Sequence, residues 1–344
     1  MSSSSAESGA HPATVPWRAP PRPDVALFGE ALIDEFAALR VVGGAPFNAA
    51  CALARFNCAP LLISAVGCDP AGDMVRARMV RFGLSVNGLQ QNFSRPTGRV
   101  MIEQAGLDHR FTILPDQAYD AIALMPALNA LRCAPPQMVY FGTLAQRGVT
   151  SWQTLQQLLS ATTARRFLDL NLRTGQVERA IVLSAVDHAD VLKVNREELQ
   201  ILAAWAFGDV IDKSADTVDT DTRVARLMQA FSLSEMIVTD GAQGWSHASR
   251  DGAVLHGTAI KASHVIDTVG AGDAFSAIYL VGQLHRWSLA LTLQRAAEFA
   301  AAICQIRGAV ASTPEFYDSW RARWFDVTGD SVTGATFSAD GANP

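Results

Sequence analysis

Four short apolar runs in the second half of the chain limit most narrowly what it can become. They read M-V-Y-F-G at Met138–Gly142, F-L-D-L-N at Phe167–Asn171, V-L-K-V-N at Val191–Asn195 and M-I-V-T-D-G at Met236–Gly241. Each closes on polar or glycine residues, and the chain alternates these strands with helices. Strands joined through helices run parallel in one sheet, and ligands of such sheets gather at the carboxyl ends of the strands. Two earlier runs, Asp24–Gly29 and Leu61–Val66, read as further strands. A length of 344 residues suits one large α/β domain or two smaller ones.

Composition excludes several classes of function. A net charge of −5, with no basic stripe, argues against a nucleic-acid binder. No apolar run reaches the length of a membrane span. The start, M-S-S-S-S-A-E-S-G-A-H-P, has neither a basic region nor an apolar one, so no signal peptide is expected and the cytoplasm is the expected compartment. Cys51, Cys58, Cys68, Cys133 and Cys304 lack paired spacing and read as free thiols in a reducing environment. The histidines show no metal-ligand spacing. Residues 1–23, rich in Ser, Ala and Pro, read as a flexible leader, and 327–344 as a disordered tail.

The densest chemical signal is V-I-D-T-V-G-A-G-D-A-F-S-A at Val265–Ala277. Val265 and Ile266 are expected to end a strand, Gly270, Ala271 and Gly272 to form a tight turn, and a deeply buried helix to follow. A helix start of small residues leaves N–H groups open to an anion, and the helix dipole favours negative charge there. Asp273 lies in the same first turn. A carboxylate there suits a site where a phosphoryl group meets an attacking hydroxyl, because it can take the hydroxyl's proton. The turn is not a Walker A loop, since no Gly-Lys-Ser/Thr follows, and it lacks the third glycine of a dinucleotide fingerprint. Taken alone, Gly before a helix and Asp within its first turn are equally ordinary turn and dipole chemistry.

The full string D-T-x-G-A-G-D-x-F resembles the C-terminal signature of the ribokinase-like (PfkB) family of carbohydrate kinases. Other motifs follow the same order along residues 24 to 315. G-E-A-L-I-D ends at Asp34, and G-G-A-P-F-N spans Gly43–Asn48. G-C-D-P-A-G at Gly67–Gly72 matches a further family motif, in which Asp69 reads as a helix N-cap. The resemblance implies a Rossmann-like ribokinase fold, mainly parallel in its central sheet, with a small β-sheet lid. It implies transfer of the ATP γ-phosphoryl group to a sugar hydroxyl with Mg²⁺, Asp273 acting as base and the N–H groups of Gly270 to Asp273 holding charge. Asp34, Gly43, Gly44 and Asn48 would hold the sugar. Arg173, closing D-L-N-L-R, would bind phosphate or position the lid.

Asn195 and Glu198 match the N-x-x-E that organises the water shell of Mg²⁺ in the family, although Asn-x-x-Glu is also close to a helix capping box. Thr239, Gly241 and Gly244 would border the nucleotide. Asp267 and Ser312 mark where many members hold potassium. Stretches 36–42 and 88–114 are expected to build the lid, from which Arg99 and Arg110 would reach the ligands or, more simply, remain solvated. Residues 206–222 read as a polar surface loop and Trp320–Trp324 as a short helix packed on the body. G-E-A-L-I-D, G-G-A-P-x-N and D-x-N-x-R together look most like bacterial fructokinases. Phe47, where a small residue is commoner, is expected to reshape the pocket. 2-Keto-3-deoxygluconate or another keto sugar comes next as substrate, with ribose and nucleosides behind. A sugar sensor that kept the fold and lost catalysis is the rival reading; the oligomeric state stays open, although lids in the resembled family often pair across a homodimer.

Overall fold

The computed structural model describes residues 23–36, 39–105, 108–131, 135–208, 217–260 and 262–325. The leader, the tail, Cys133 and the middle of the 206–222 stretch lie outside the described residues, apart from Pro23. The main sheet has nine strands. From one edge it runs β13 (Val254–Gly257), β12 (Trp245–Ser249), β11 (Glu235–Thr239), β10 (Val191–Asn195), β9 (Arg165–Asp169), β8 (Met138–Phe141), β1 (Val25–Phe28), β4 (Pro60–Gly67) and β5 (Leu89–Asn92). Every pairing from β11 to β5 is parallel, and only β12 and β13 are antiparallel.

Strand side chains alternate between the two faces, so each buried strand must be apolar in both phases. In β1, Val25 and Leu27 join one core, and Ala26 and Phe28 join the other. The first core is closed by α1 (Ala45–Arg55), α2 (Pro70–Phe82), α8 (Ala271–Leu284), α9 (Leu289–Ile303) and α10 (Phe316–Phe325). The second is closed by α3 (Leu124–Leu131), α4 (Val149–Ser160), α5 (Arg179–Asp187), α6 (Arg196–Phe207) and α7 (Thr217–Ala230). The short C-terminal helix is anchored as the sequence suggests: the Trp324 ring stacks on Phe56 at 5.3 Å. Asp69 caps α2 by accepting from Gly72 N–H at 2.8 Å, and it also accepts from the Thr97 N–H and hydroxyl.

A second sheet, β3 (Arg40–Gly43), β2 (Leu32–Glu35), β6 (Gly98–Ala105) and β7 (Asp108–Ile113), leaves the body after the carboxyl ends of β1 and β5. Its membership differs from the sequence reading. Leu32–Glu35 forms one of its two central strands, whereas Leu89–Asn92 pairs with β4 and extends the main sheet. Arg99 lies within this sheet, 3.9 Å from Glu35. Two other expectations are corrected. Ala206 and Phe207 still belong to α6 and Thr217–Thr222 already to α7, so helix occupies both ends of the stretch expected to be a polar loop. The described residues 262–269 that lead into the G-A-G-D turn form no strand; Val265 and Ile266 are exposed there, in a connection tied to α9 by N–H donation from Ile266 and Asp267 to the Cys304 carbonyl.

Away from the ligand edge, Glu235 joins four elements. It accepts from Arg165 on β9, from His247 on β12 at 2.9 Å and from the Tyr279 hydroxyl on α8 at 2.5 Å. Burial alone would raise its pKa, but these hydrogen bonds and the guanidinium charge outweigh burial and bring the carboxyl down to about 2. A carboxyl depressed from 4.5 stabilises the fold fully above 4.5 and loses that contribution as pH falls toward 2. Glu235→Gln is therefore expected to lower the unfolding free energy at pH 7 by about 2–3 kcal/mol. Denaturant melts at pH 7 and pH 3 check this, with the gap from wild type narrowing at the lower pH.

Candidate active site

The chain reverses direction across the sheet between β1 and β8, which flank one another although β4 follows β1 in sequence. Open α/β sheets bind ligands beside such a switch, at the carboxyl ends of the strands. The candidate residues lie at this edge.

Helix α8 begins at Ala271, with Gly270 as its N-cap at φ 81°. A side chain on Gly270 would place its first carbon 2.3 Å from Cβ of Ala309, so only glycine fits there. Ala271 N–H donates to the Thr268 carbonyl, which removes it from the anion turn. The N–H groups of Gly272 and Asp273 have no main-chain acceptor among the described residues, as the first turn of a helix dictates. Asp273 is partly open to the cleft yet densely surrounded by protein. Its Oδ2 accepts from Asn48 Nδ2 at 2.8 Å.

Asn48 is placed by G-G-A-P-F-N. Gly44 is the N-cap of α1 at φ 109°, and a Cβ there would fall 2.5 Å from the Glu30 carbonyl oxygen. A Cβ on Gly43 would fall 2.6 Å from Asp34 Oδ2. The two glycines therefore let α1 start directly against Glu30 and Asp34. Asp34 sits on the small sheet itself, paired with Val41 and Val100. Because Asn48 donates its amide N–H to Asp273, its Oδ1 is left as an acceptor, and that atom is buried without a partner among the described residues, as is Glu30 Oε2. Buried acceptors of this kind are costly unless a donor arrives. A ligand carrying hydroxyls supplies such donors.

Charge at the site is strongly shifted. Burial pushes Glu30 up to about 7 and Asp34 up to about 6, and burial followed by the nearby Asp169 carboxylate raises Asp273. Arg173, exposed on the loop after β9, draws all three back toward ionisation. Beneath Asp273 lies a buried ion pair. Lys193 Nζ donates to both oxygens of Asp169 at 3.0 Å. The sequence marks Asp169 only as the opening residue of D-L-N-L-R, with no role of its own, and marks neither Lys193 nor, within G-E-A-L-I-D, Glu30. The available signal was one charge of each sign in the otherwise apolar runs F-L-D-L-N and V-L-K-V-N.

Further along the edge, Asn195 and Thr239 are register partners at the ends of β10 and β11. Asn195 and Glu198 form a complete capping box, with Glu198 N–H donating to Asn195 and Asn195 N–H to Glu198, each at 2.8 Å. The other Glu198 oxygen accepts from Leu172 N–H at 2.7 Å. Gly241 and Gly244, at φ 48° and 111°, bracket a one-turn helix after β11. Among the described residues no cluster of three His, Cys, Asp or Glu side chains could hold a metal.

Asp267 accepts from Val269 and Gly308 N–H at 3.0 Å each, and the Ser312 carbonyl accepts from Arg78 at 3.0 Å. One expectation is not met by the geometry. Phe47 is fully buried in the core between α1 and its neighbours and contributes no surface to the cleft.

Comparison with known proteins agrees with this geometry. The family model of pfkB family carbohydrate kinases matches residues 23–315. A fructokinase from Vibrio alginolyticus is 28% identical over 263 residues, covering 72% of this chain and 80% of its own length. A fructokinase from Xylella fastidiosa, solved with bound ATP, superposes with a TM-score of 0.73 at 22% identity, covering 87% of this chain and 99% of that one. A fructokinase double mutant from Vibrio cholerae, solved with fructose, ADP and a potassium ion, gives 0.70 at 22% identity, covering 88% and 99%. With its family signatures gathered at one edge of a ribokinase-like α/β fold, this chain belongs to the pfkB family of carbohydrate kinases and is a phosphotransferase acting on an alcohol group.

Proposed function

We propose that this kinase phosphorylates fructose from ATP, forming fructose 6-phosphate, with Asp273 as the base. The observation that carries this reading is the 2.8 Å contact between Asn48 and Asp273, which joins the G-G-A-P-F-N helix to the anion turn and leaves Asn48 Oδ1 waiting for a donor. The choice of fructose is supported by the fructokinases among the relatives.

Asp34 and Asn48 Oδ1 accept hydrogen bonds from sugar hydroxyls, and Gly43 and Gly44 allow the sugar to reach them. The reacting hydroxyl gives its proton to Asp273 as its oxygen bonds to the γ-phosphorus and the bond to the β-phosphate oxygen breaks, releasing ADP. Developing charge on the transferring group is held by the N–H groups of Gly272 and Asp273, the α8 dipole and Arg173. Nucleotide is bordered by Asn195, Thr239, Gly241 and Gly244. Glu198 fits a partner to magnesium-bound water, since both its oxygens already take N–H groups and hold its orientation. When bound, Mg²⁺ would neutralise phosphate charge. The small sheet closes as a lid to exclude water, carrying Asp34 with it.

Three measurements check the reading. ADP release from ATP-Mg²⁺ across a sugar panel, with and without potassium, is expected to depend on fructose. Release with a different sugar discards the substrate, and silence from folded, ATP-binding protein favours a sensor. Asp273→Asn is expected to bind both substrates and lose at least ~10²-fold in turnover, the scale of general-base catalysis; near-wild-type turnover overturns the assignment. Because an ionised carboxylate accepts hydrogen bonds from hydroxyls more strongly than its protonated form, the sugar KM is expected to rise as pH falls through about 6. Asp34→Asn is expected to raise KM at pH 8 and abolish that pH dependence.

A further inference from the structure

The Lys193–Asp169 pair is unusual for its depth and its address. Lys193 is 4% exposed and Asp169 2% exposed, and the two are register partners on adjacent parallel strands. Two charges removed from water at this depth are costly, and apolar residues of similar volume often serve stability as well or better. The pair is instead completed by further donors: the Ser276 hydroxyl donates to Asp169 Oδ2 at 2.6 Å and the Tyr140 hydroxyl at 3.3 Å. Ser276 stands three residues after Asp273 on α8, on the turn that follows the anion turn. On the other side, a Cβ built on Gly272 would lie 3.4 Å from Lys193 Nζ. The ammonium therefore sits directly behind the backbone of the anion turn.

We propose that Lys193 and Asp169 are a positioning pair for phosphoryl transfer: Asp169, through Ser276, fixes the start of α8, and the Lys193 ammonium behind Gly272 balances the negative charge that Asp273 and the incoming phosphates bring together. The proposal rests on the reading of Asp273 as the base. Neither side chain touches the reacting atoms, and they act through α8 and through charge. The groups that bear on Asp273 are Asp169, Lys193 and Tyr140 from the strands, Arg173 from the loop after β9, Asn48 from α1, and Glu30 and Asp34 from the segment after β1. Glu198 on α6 bears on Asp169 and Lys193 in turn.

Charge balance has a signature that a purely structural tie lacks. Lys193→Met leaves the Asp169 carboxylate uncompensated near Asp273, so the acid limb of the kcat–pH profile moves to higher pH. Asp169→Asn leaves the ammonium uncompensated, so the limb moves to lower pH. Shifts of about 1 unit or more are expected for a charge so near. Turnover of Lys193→Met at pH 7 falls at least ~10-fold and recovers in part at alkaline pH, while the sugar KM changes less than ~3-fold, as expected for a loss confined to the transition state. The double variant K193M/D169N, which removes both charges together, returns the limb toward wild type.

The experiment is the kcat–pH profile of wild type, both single variants, the double variant and Asp273→Asn, using the sugar that supports turnover and protein checked by thermal melt and ATP binding. Opposite shifts of the two single variants bear the proposal out. Unmoved limbs, or shifts in the same direction, overturn it. If Lys193→Met does not fold, the direction of the Asp169→Asn shift and the return in the double variant decide alone. Full turnover in Asp273→Asn would instead overturn the base assignment, whereas a dead Asp273→Asn with unmoved limbs overturns the positioning pair only.

Discussion

A carboxylate lodged in the first turn of a buried helix is the constraint on which the rest of this site depends. Asp273 needs the positive end of α8, yet burial raises its pKa and the nearby Asp169 carboxylate raises it further. Left to itself such a group would take up a proton and lose its use as a base. Three positive or donating partners hold it toward the charged form: the Asn48 amide, the Lys193 ammonium and Arg173. They come from α1, from β10 and from the loop after β9. The sheet's strand order is what brings these segments to one edge.

In the proposed reaction the same arrangement would link sugar recognition to catalysis. Asn48 donates its amide N–H to Asp273 and keeps Oδ1 as an acceptor, so a sugar hydroxyl on Oδ1 and the proposed base would be fixed relative to each other by a single side chain. Asp34 is carried on the small sheet and held near α1 by the absence of a side chain at Gly43. Closure of that sheet would therefore deliver a sugar ligand and exclude water in one movement.

Much of this was legible in the sequence where the cause is local. Strands such as M-V-Y-F and V-L-K-V stand out because both of their faces are buried, and G-G-A-P-F-N and G-A-G-D stand out because the backbone approaches too closely for side chains. What could not be read depends on distant partners. L-I-D-E and L-Q-Q-N are equally short and equally mixed, yet the first pairs in the small sheet and the second with β4, a choice made by which edge is open. Val265 and Ile266 look like the end of a strand but lie exposed, because the hydrogen bonds of that segment go to Cys304 at the end of α9. Lys193 reads as an ordinary strand position until Asp169, 24 residues earlier, is seen beside it. Asn-x-x-Glu at Asn195–Glu198 reads first as a motif of the magnesium water shell, with a capping box as the alternative; the capping box is formed, and a role toward magnesium would be added to that geometry rather than replace it.

The most direct test of the account is a crystal structure with the sugar and a non-hydrolysable ATP analogue bound. The account predicts the reacting hydroxyl within hydrogen-bonding distance of the Asp273 carboxylate, roughly 2.6–3.2 Å, and in line with the γ-phosphorus, with neighbouring hydroxyls on Asp34 and Asn48 Oδ1. A sugar bound with its acceptor hydroxyl turned away from Asp273, or a γ-phosphate resting elsewhere than at the Gly272–Asp273 N–H groups, would contradict it.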